Sequence, residues 1–313
     1  MTRKALVISA VTAALVAAAV LLAIKAFPSG AVPVPERLTV YLKDEETIIS
    51  MEYNSFIEGC VFGLISPKSE KEALKSAACA VSTLALYRMS QNSGFSNNGA
   101  DITAGSGTEF PYSPPQEIAR EYGERADYYA ERVRAAVEAA TGYVITYSGE
   151  PIYAAMCESS AGATDSGEEH GIALAYLVSV AAEEDTERDG WESVAAFTPR
   201  MVRSALAEYA PAVMSGSPAD WFGEAELLSG GTVKEISFCG AEVSGAAVMA
   251  ALGLRSAAFT VEYTEDLFRY TVHGCGENLG MSLSCADSFA LHGMSMEEIL
   301  AYFYPETTLS AAG

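Results

Sequence analysis

The sequence predicts an α+β fold, in which mixed helices and short antiparallel strands follow one N-terminal transmembrane helix. Three observations support this class. Half of the 313 residues are apolar, helical and extended segments are interleaved without regular βαβ units, and residues 5–24 carry no charge. A chain of this length is compatible with one large domain or two small ones.

The charge balance restricts the kind of partner. The chain has 19 Lys+Arg against 41 Asp+Glu, a formal net charge of −22. Phosphate binding requires concentrated Lys and Arg, so the composition argues against a nucleic-acid partner. It also argues against docking of the soluble part on an anionic membrane surface. We expect a highly soluble, acidic domain.

The N-terminal segment predicts a membrane anchor. The uncharged run Ala5–Ile24 has the roughly 20 residues that a helix needs to cross the hydrocarbon core. Arg3 and Lys4 precede it, so the positive-inside rule leaves the N-terminus in the cytoplasm and exports the rest. The alternative is a cleaved signal peptide, whose apolar core is normally only about 7–15 residues. We therefore predict a single-pass cell-membrane protein with an extracytoplasmic C-terminal domain.

Three segments follow from this interpretation. Residues 1–27 form the cytoplasmic stub and transmembrane anchor, and residues 28–37 form a Pro-containing spacer that is expected to be extended. Residues 38–309 form the folded domain.

Patterning gives the elements of that domain in order. Its first half predicts strands 38–42 and 47–53, a helix that begins near Ser69, an irregular loop 91–115, a helix 115–140, and a hairpin of 143–147 with 151–156. Its second half predicts a helix 198–209, strands 233–238 and 241–244, a helix 245–253, strands 259–263 and 267–273, a glycine-rich stretch 274–280, and a helix 295–303. Ser69 with Glu72 is a capping-box signature, and alternation between turn residues marks the strands.

Cysteine usage indicates no dedicated site. The six cysteines are far apart and form no CxxC pair: Cys60, Cys79, Cys157, Cys239, Cys275 and Cys285. This is neither a disulfide scaffold nor a zinc finger, and most should be small buried residues. One or two disulfides outside the cytoplasm remain compatible with the spacing.

Five segments, in order, resemble the SpoIID/LytB (stage II sporulation protein D) family over residues 38–309. They lie at 56–80, 137–152, 251–256 (ALGLRS), 280–282 (GMS) and 304–305 (YP). The resemblance implies an α+β fold around a glycan-binding cleft. Family enzymes are lytic transglycosylases that act on peptidoglycan glycan strands. The implied partners are those strands and the amidase and membrane partners of the engulfment machinery.

The chain departs from the family at the catalytic position. The reaction requires a carboxylic acid whose pKa is raised by burial, so that it can protonate the glycosidic oxygen. The family's acid position corresponds to Leu64, which cannot donate a proton. Glu58 and Glu70 are candidates for a shifted acid, as is Glu277, where the family has a histidine.

The zinc positions of some relatives are also altered. They correspond to Thr103, Thr108, Glu109 and Cys157. One thiolate and one carboxylate do not make a tetrahedral structural site. We predict no metal and no cofactor.

The remaining site positions are polar or small. The resemblance assigns glycan binding to Ser159, Ser160, Gly280, Met281 and Ser282. The three histidines, His170, His273 and His292, have no metal-like spacing. We predict surface or structural roles for them, and no Ser-His-Asp catalysis at Ser159 and Ser160.

Three functions follow. The first is a pseudoenzyme that binds glycan strands without cutting them. The second is an active lytic transglycosylase that uses a shifted carboxylate. The third is a membrane-tethered scaffold with a vestigial groove. We favour the first and third over the second, because three independent polar features are altered while the scaffold segments persist.

Overall fold

The computed structural model of the protein describes residues 31–91, 99–209 and 216–313. They fall into two compact units. The first unit consists of the described residues up to Ala154 together with Met294–Gly313, and the second unit is Ala155–Gly293. The second unit is therefore an insertion in the first, and both units mix helices with strands, which confirms the α+β class.

The elements occur in the following order. The first unit contains β1 (Arg37–Leu42), β2 (Thr47–Glu52), α1 (Tyr53–Leu64), α2 (Lys71–Gln91), β3 (Ile102–Ala104), α3 (Pro115–Tyr122), α4 (Ala126–Ala140), β4 (Tyr143–Tyr147) and β5 (Glu150–Pro151). The second unit contains β6 (Met156–Cys157), β7 (Glu192–Phe197), α5 (Pro199–Ala205), β8 (Phe222–Leu227), β9 (Val233–Phe238), β10 (Ala241–Ser244), α6 (Gly245–Leu252), β11 (Phe259–Thr264), β12 (Leu267–His273), β13 (Met281–Ser282) and α7 (Leu283–Leu291). The chain then returns to the first unit with α8 (Met296–Phe303) and β14 (Thr308–Ala311).

The predicted transmembrane helix, Ala5–Ile24, lies outside the described residues. Among the helices of residues 31–91, 99–209 and 216–313, none is long and apolar enough to cross a membrane.

The strands form several small sheets. In the first unit β1 lies between antiparallel β2 and parallel β3, and β4 lies between β14 and β5, both antiparallel. In the second unit the orders β10-β9-β8 and β11-β12-β7 are antiparallel, and β6 pairs with β13 in parallel. The prediction of short antiparallel strands is therefore confirmed for most pairs and wrong for β1–β3 and β6–β13.

Helix α2 forms the centre of the first unit. Ala73, Ala77, Ala80 and Ala85 on it are fully buried, and it contacts α1, α4, α8 and β4. Small side chains let the neighbouring backbones approach closely and still fill the interior. The Ala-rich pattern of the sequence is therefore the signature of a helix that is buried on all sides.

Aromatic and aliphatic side chains form the core of the second unit. The buried members lie on both three-stranded sheets and on the segments that flank them: Val202, Leu206, Trp221, Val233, Ile236, Phe238, Val243, Val248, Leu254, Phe259, Phe268, Tyr270 and Val272. Most ring pairs pack tilted or edge to face, as for Phe259 against Tyr270 at 5.5 Å between centroids, whereas Trp221 stacks on Phe268. Such pairs contribute about 0.5–1.5 kcal/mol beyond the area they bury.

Some sequence predictions need correction. The predicted helix 115–140 is interrupted at Gly123, whose φ of +52° is a left-handed conformation that no α-helix contains. The predicted capping box is absent, because the Glu72 carboxylate accepts from the side chain of Lys75 and from the backbone of Met296. The helix that was expected near Ser69 begins at Lys71.

Candidate functional site

Leu64, the position that the family resemblance predicts for the catalytic acid, ends a helix in the first unit. Leu64 is the last residue of α1 and is partly buried, and Ile65 follows it in extended conformation. Its side chain supplies no proton donor. Nothing at this position can replace a general acid.

Glu58 is the candidate carboxylate whose environment is most altered. It lies on α1, about 1.7 turns before Leu64, and its side chain is 25% exposed. Burial raises its pKa, and the guanidinium of Arg134 at 3.8 Å opposes that rise. The other two candidates, Glu70 in the first unit and Glu277 in the second, are exposed.

The residues that the resemblance aligns with the zinc ligands of some relatives make contacts within the protein. Thr103 pairs with Tyr41 across the β1–β3 register, and the hydroxyl of Thr108 donates to the carbonyl of Gly105 at 2.9 Å. Cys157 is buried in β6 of the second unit. Among the described residues, no group of three or more His, Cys, Asp or Glu side chains is arranged to hold a metal ion.

Glu109 is held by a cation and a phenol. The Arg88 guanidinium donates to both carboxylate oxygens of Glu109, and the hydroxyl of Tyr153 donates to Oε1 at 2.9 Å. The guanidinium carbon also lies 4.9 Å from the Tyr153 ring centroid. The hydrogen bond to Glu109 raises the pKa of Arg88. This ion pair attaches the loop before α3 to the end of α2.

A buried carboxylate joins the predicted glycan-binding segments of the second unit. Oδ2 of Asp185 accepts from the backbone N–H of Ser160 and from the Ser282 hydroxyl, both at 2.7 Å. Asp185 is fully buried, and its Oδ1 has no hydrogen-bond partner among the described residues. The segments also meet through β6 and β13, where Cys157 pairs with Ser282. The structure thus brings these predicted residues together.

The same residues are inside the protein, not on its surface. Ser160, Met281 and Ser282 are 0% exposed and Ser159 is 8% exposed. The Ser282 hydroxyl also caps α7 by accepting from the backbone of Cys285. Glycan binding by these side chains remains a prediction. Their burial favours a role in shaping a surface that neighbouring residues present.

Gly280 requires the absence of a side chain. Its φ is +72°, and a Cβ there would overlap the carbonyl of Ala155. A non-glycine residue would therefore be strained in its backbone and would clash with the segment that leads into β6.

Trp191 is the partly exposed aromatic residue beside Ser160. Its Nε1–H donates to the carbonyl of Ser160 at 2.9 Å. Its indole stacks on the imidazole of His273, with 4.4 Å between centroids and 16° between planes. The nearby Arg255 donates to the carbonyl of Gly190 at 2.7 Å. These contacts fix the orientation of the ring.

A second buried aspartate binds a histidine. Asp165 is 0% exposed and accepts from the backbone of Gly230 and the hydroxyl of Thr232. The Nε2 of His170 lies against the same carboxylate. The bond to Asp165 raises the pKa of His170, and the nearby charge of Glu277 adds to that rise.

Sequence reasoning missed three of these residues. Asp165 and Asp185 lie in acidic, Gly- and Ser-rich stretches where nothing distinguishes a buried aspartate from a solvated one. Trp191 follows Gly190 in a similar stretch. The one signal in the sequence that could have indicated it is the presence of a tryptophan in an otherwise polar segment.

Known proteins show similarity over most of the chain. The first unit carries a SpoIID domain: the SpoIID family model, described as stage II sporulation protein, matches residues 41–147. Stage II sporulation protein D of Bacillus subtilis (strain 168) is 25% identical over 283 residues, which cover 89% of this chain and 80% of that protein. The protein of the same name from Bacillus amyloliquefaciens is 24% identical over 280 residues, with the same coverage. The chain therefore contains a region that matches the SpoIID family model, and over most of its length it is similar to stage II sporulation protein D of two Bacillus species.

Proposed function

We propose that this protein binds peptidoglycan glycan strands during sporulation without cutting them. The observation that carries the proposal is Leu64, an aliphatic residue at the position of the family's acid. Removal of a general acid costs about 10²–10⁴-fold in rate. Leu64 ends α1 beside the buried Ile65, and this apolar helix end supplies no proton.

The other carboxylates give the proposal further support. Burial raises the pKa of Glu58, but Arg134 lies 3.8 Å away, and a neighbouring guanidinium opposes that rise by stabilising the ionised form. Glu70 and Glu277 are exposed, whereas a carboxylic acid in this role is normally buried in an apolar site.

We also propose that residues 1–27 anchor the protein in the cell membrane and that amidase and membrane proteins of the engulfment machinery are its partners. The uncharged run Ala5–Ile24 supports the anchor, and the family resemblance supports the partners.

The alternative function is that of an active lytic transglycosylase. The observation that favours it is the pKa of Glu58, which burial raises in spite of Arg134. A raised carboxyl pKa is what a general acid needs.

One experiment separates these functions. The full-length protein in detergent is incubated with glycan strands that lack stem peptides, next to an active relative as positive control, and products are read by mass spectrometry. The proposal expects no 1,6-anhydromuramyl ends. If such ends form, the protein is an enzyme, and Glu58→Gln, Glu70→Gln and Glu277→Gln then identify the acid.

The same sample measures binding. Retention on immobilised strands is expected, with retention on cellulose as the control for unspecific adsorption. Failure to retain the protein, together with the absence of products, would contradict the binding function and favour the scaffold.

A further inference from the structure

Asp185 connects three segments of the second unit, because one of its carboxylate oxygens accepts two hydrogen bonds and the backbone of Ser160 leads on to a third segment. Its Oδ2 accepts from the Ser282 hydroxyl and from the Ser160 N–H. The carbonyl of Ser160, in turn, accepts from the indole N–H of Trp191. Two hydrogen bonds, joined by the backbone of Ser160, therefore link a fully buried carboxylate to a partly exposed ring.

This connection is rigid because the buried carboxylate of Asp185 cannot replace its hydrogen-bond donors with water. Asp185 is 0% exposed, and a buried carboxylate needs its donors, since the loss of a partner leaves it desolvated without compensation. On the outer side, the imidazole of His273 covers one face of Trp191 at 4.4 Å. The indole is thus held by a hydrogen bond at its edge and by a ring on one face.

The charge of the unit indicates how it can bind a glycan. Residues 155–293 contain six Lys+Arg and 21 Asp+Glu, so a strand with muramic acid carboxylates is repelled at long range. The affinity for the glycan strand must then come from uncharged contacts, such as packing against an aromatic ring. An aromatic ring provides a large, rigid apolar surface with a polar edge, and such rings are enriched at binding sites.

We infer that Trp191 is the residue on which a sugar ring of the glycan strand stacks, and that Asp185 is the positioning residue that holds Trp191 through Ser160. The ligand class is a β-linked N-acetylhexosamine strand, recognised through the apolar C–H face of one ring. This inference rests on the proposed function for its ligand. The link from Asp185 to Trp191 is a property of the protein alone.

Substitutions at Asp185 separate charge from hydrogen bonding. Asp185→Asn keeps an oxygen acceptor for Ser160 and Ser282, so retention on glycan should stay within about twofold of the wild type. Asp185→Ala removes the acceptor, and retention should fall about tenfold, which corresponds to 1.4 kcal/mol. If the negative charge of Asp185 were required, asparagine would not restore retention. Retention in Asp185→Asn close to that of the wild type therefore shows that the hydrogen-bond acceptor is what matters.

Substitutions at Trp191 test the ring itself. Trp191→Ala should lower retention about tenfold or more, as for a residue that dominates an interface. Trp191→Phe keeps a ring but removes the bond to Ser160, so it should lie between the alanine variant and the wild type. Unchanged retention in Trp191→Ala would overturn the inference and leave the proposed function intact.

Fluorescence tests the positioning role without any ligand. The chain has two tryptophans, and Trp221→Phe leaves Trp191 as the single reporter. In this background, acrylamide should quench Trp191 more strongly when Asp185→Ala is added and not when Asp185→Asn is added. Equal quenching in all three proteins would refute the positioning role.

The two failures are distinguishable. If the wild type is not retained on glycan strands while the quenching differs as expected, the proposed function fails and the Asp185–Trp191 link stands. If Asp185→Ala does not fold, the Trp191→Phe variant still tests the link, because it lacks the hydrogen bond to Ser160. Its retention on glycan strands is then the measurement.

Discussion

The Nε2 atom of His170 lies 3.1 Å from Oδ2 of Asp165. Asp165 is fully buried, whereas the His170 side chain is 29% exposed. Two further donors, from Gly230 and Thr232, fix the same carboxylate. The imidazole is therefore oriented by a carboxylate that cannot move away, which gives this histidine a defined role that its spacing in the sequence did not indicate.

This pair makes a prediction on pH dependence. The pKa of His170 is raised above its ordinary value of 6.5 by Asp165, with smaller contributions from Glu277 and Glu169. A raised folded-state pKa gives stabilisation that is complete below the unfolded value and is lost as pH rises through the folded value. The stability difference between wild type and His170→Gln should therefore be largest below about pH 6 and should shrink at higher pH.

Chemical denaturation at several pH values checks this dependence, and an NMR titration of His170 checks the pKa. His292→Gln is the control, because His292 is exposed and, within the described part of the chain, its ring bonds only a backbone carbonyl of its own helix. Asp165→Asn should lower the pKa of His170. A titration midpoint at or below 6.5 in the wild type would contradict the role of Asp165.

Gly280 and Gly253 form a matched pair of glycines. Both have positive φ, +72° and +65°, but a Cβ on Gly253 meets no atom within 4 Å, whereas one on Gly280 overlaps Ala155. Gly253→Ala should cost about 1 kcal/mol of unfolding free energy from backbone strain alone. Gly280→Ala should cost clearly more, about 3 kcal/mol or above, because a clash with backbone is added. Urea unfolding measures both, and equal losses would mean that the Ala155 segment moves aside freely.

The Arg88–Glu109 pair should contribute measurably to the first unit. It is bidentate, and its side chains are 37% and 38% exposed. Solvent screens such a pair, so Arg88→Met should cost at most about 1 kcal/mol. Arg120→Met is the control, because its pair with Glu117 is longer, 3.8 Å, and far more exposed. Arg120→Met should change the unfolding free energy by close to zero in the same thermal or urea unfolding experiment. A larger loss in Arg120→Met than in Arg88→Met would contradict the idea that the Arg88–Glu109 pair is the more stabilising one.

Thiol reactivity should divide the cysteines into two groups. Burial raises the pKa of the Cys157 thiol well above its ordinary value, and the charge of Asp185 adds to the effect. Burial acts on Cys60 in the same way, whereas Cys239 and Cys275 are partly exposed. Since the thiolate is the reactive form, an aromatic disulfide reagent at pH 8 should modify Cys239 and Cys275 first. Peptide mapping by mass spectrometry identifies the modified residues, and early modification of Cys60 would argue against its burial.

Elements with a strong local pattern could be predicted from the sequence. Strands β1, β9, β10 and β12 and helix α2 have apolar periodicity that matches their period, and a Thr or Ser cap or a turn marks several boundaries. The edge strands β7 and β8 were missed, because most of their side chains are exposed or half-buried and give no apolar stripe. Helix α1 was missed because glycines at 59 and 63 weaken its helical pattern.

The site depends on contacts that no local pattern contains. Asp185 bonds Ser160 at a separation of 25 residues and Ser282 at 97. Gly280 is required by the carbonyl of Ala155, far away in the chain. The segments could be aligned with a family, but which of their side chains are buried, and which carboxylate joins them, follow only from the tertiary structure.

The insertion of the second unit has a consequence for the order in which the protein folds. Strand β14 pairs with β4, and the hydroxyls of Thr146 and Ser310 lie 2.7 Å apart across 164 residues of chain. A ribosome releases β4 long before β14, so the earlier strand waits for its neighbour until the last residues emerge. The inserted unit has all of its strand partners between Met156 and Ser282. It is therefore the part of the chain that is able to finish first, and a nascent chain whose first 293 residues have left the ribosome would carry a complete inserted unit and an incomplete host.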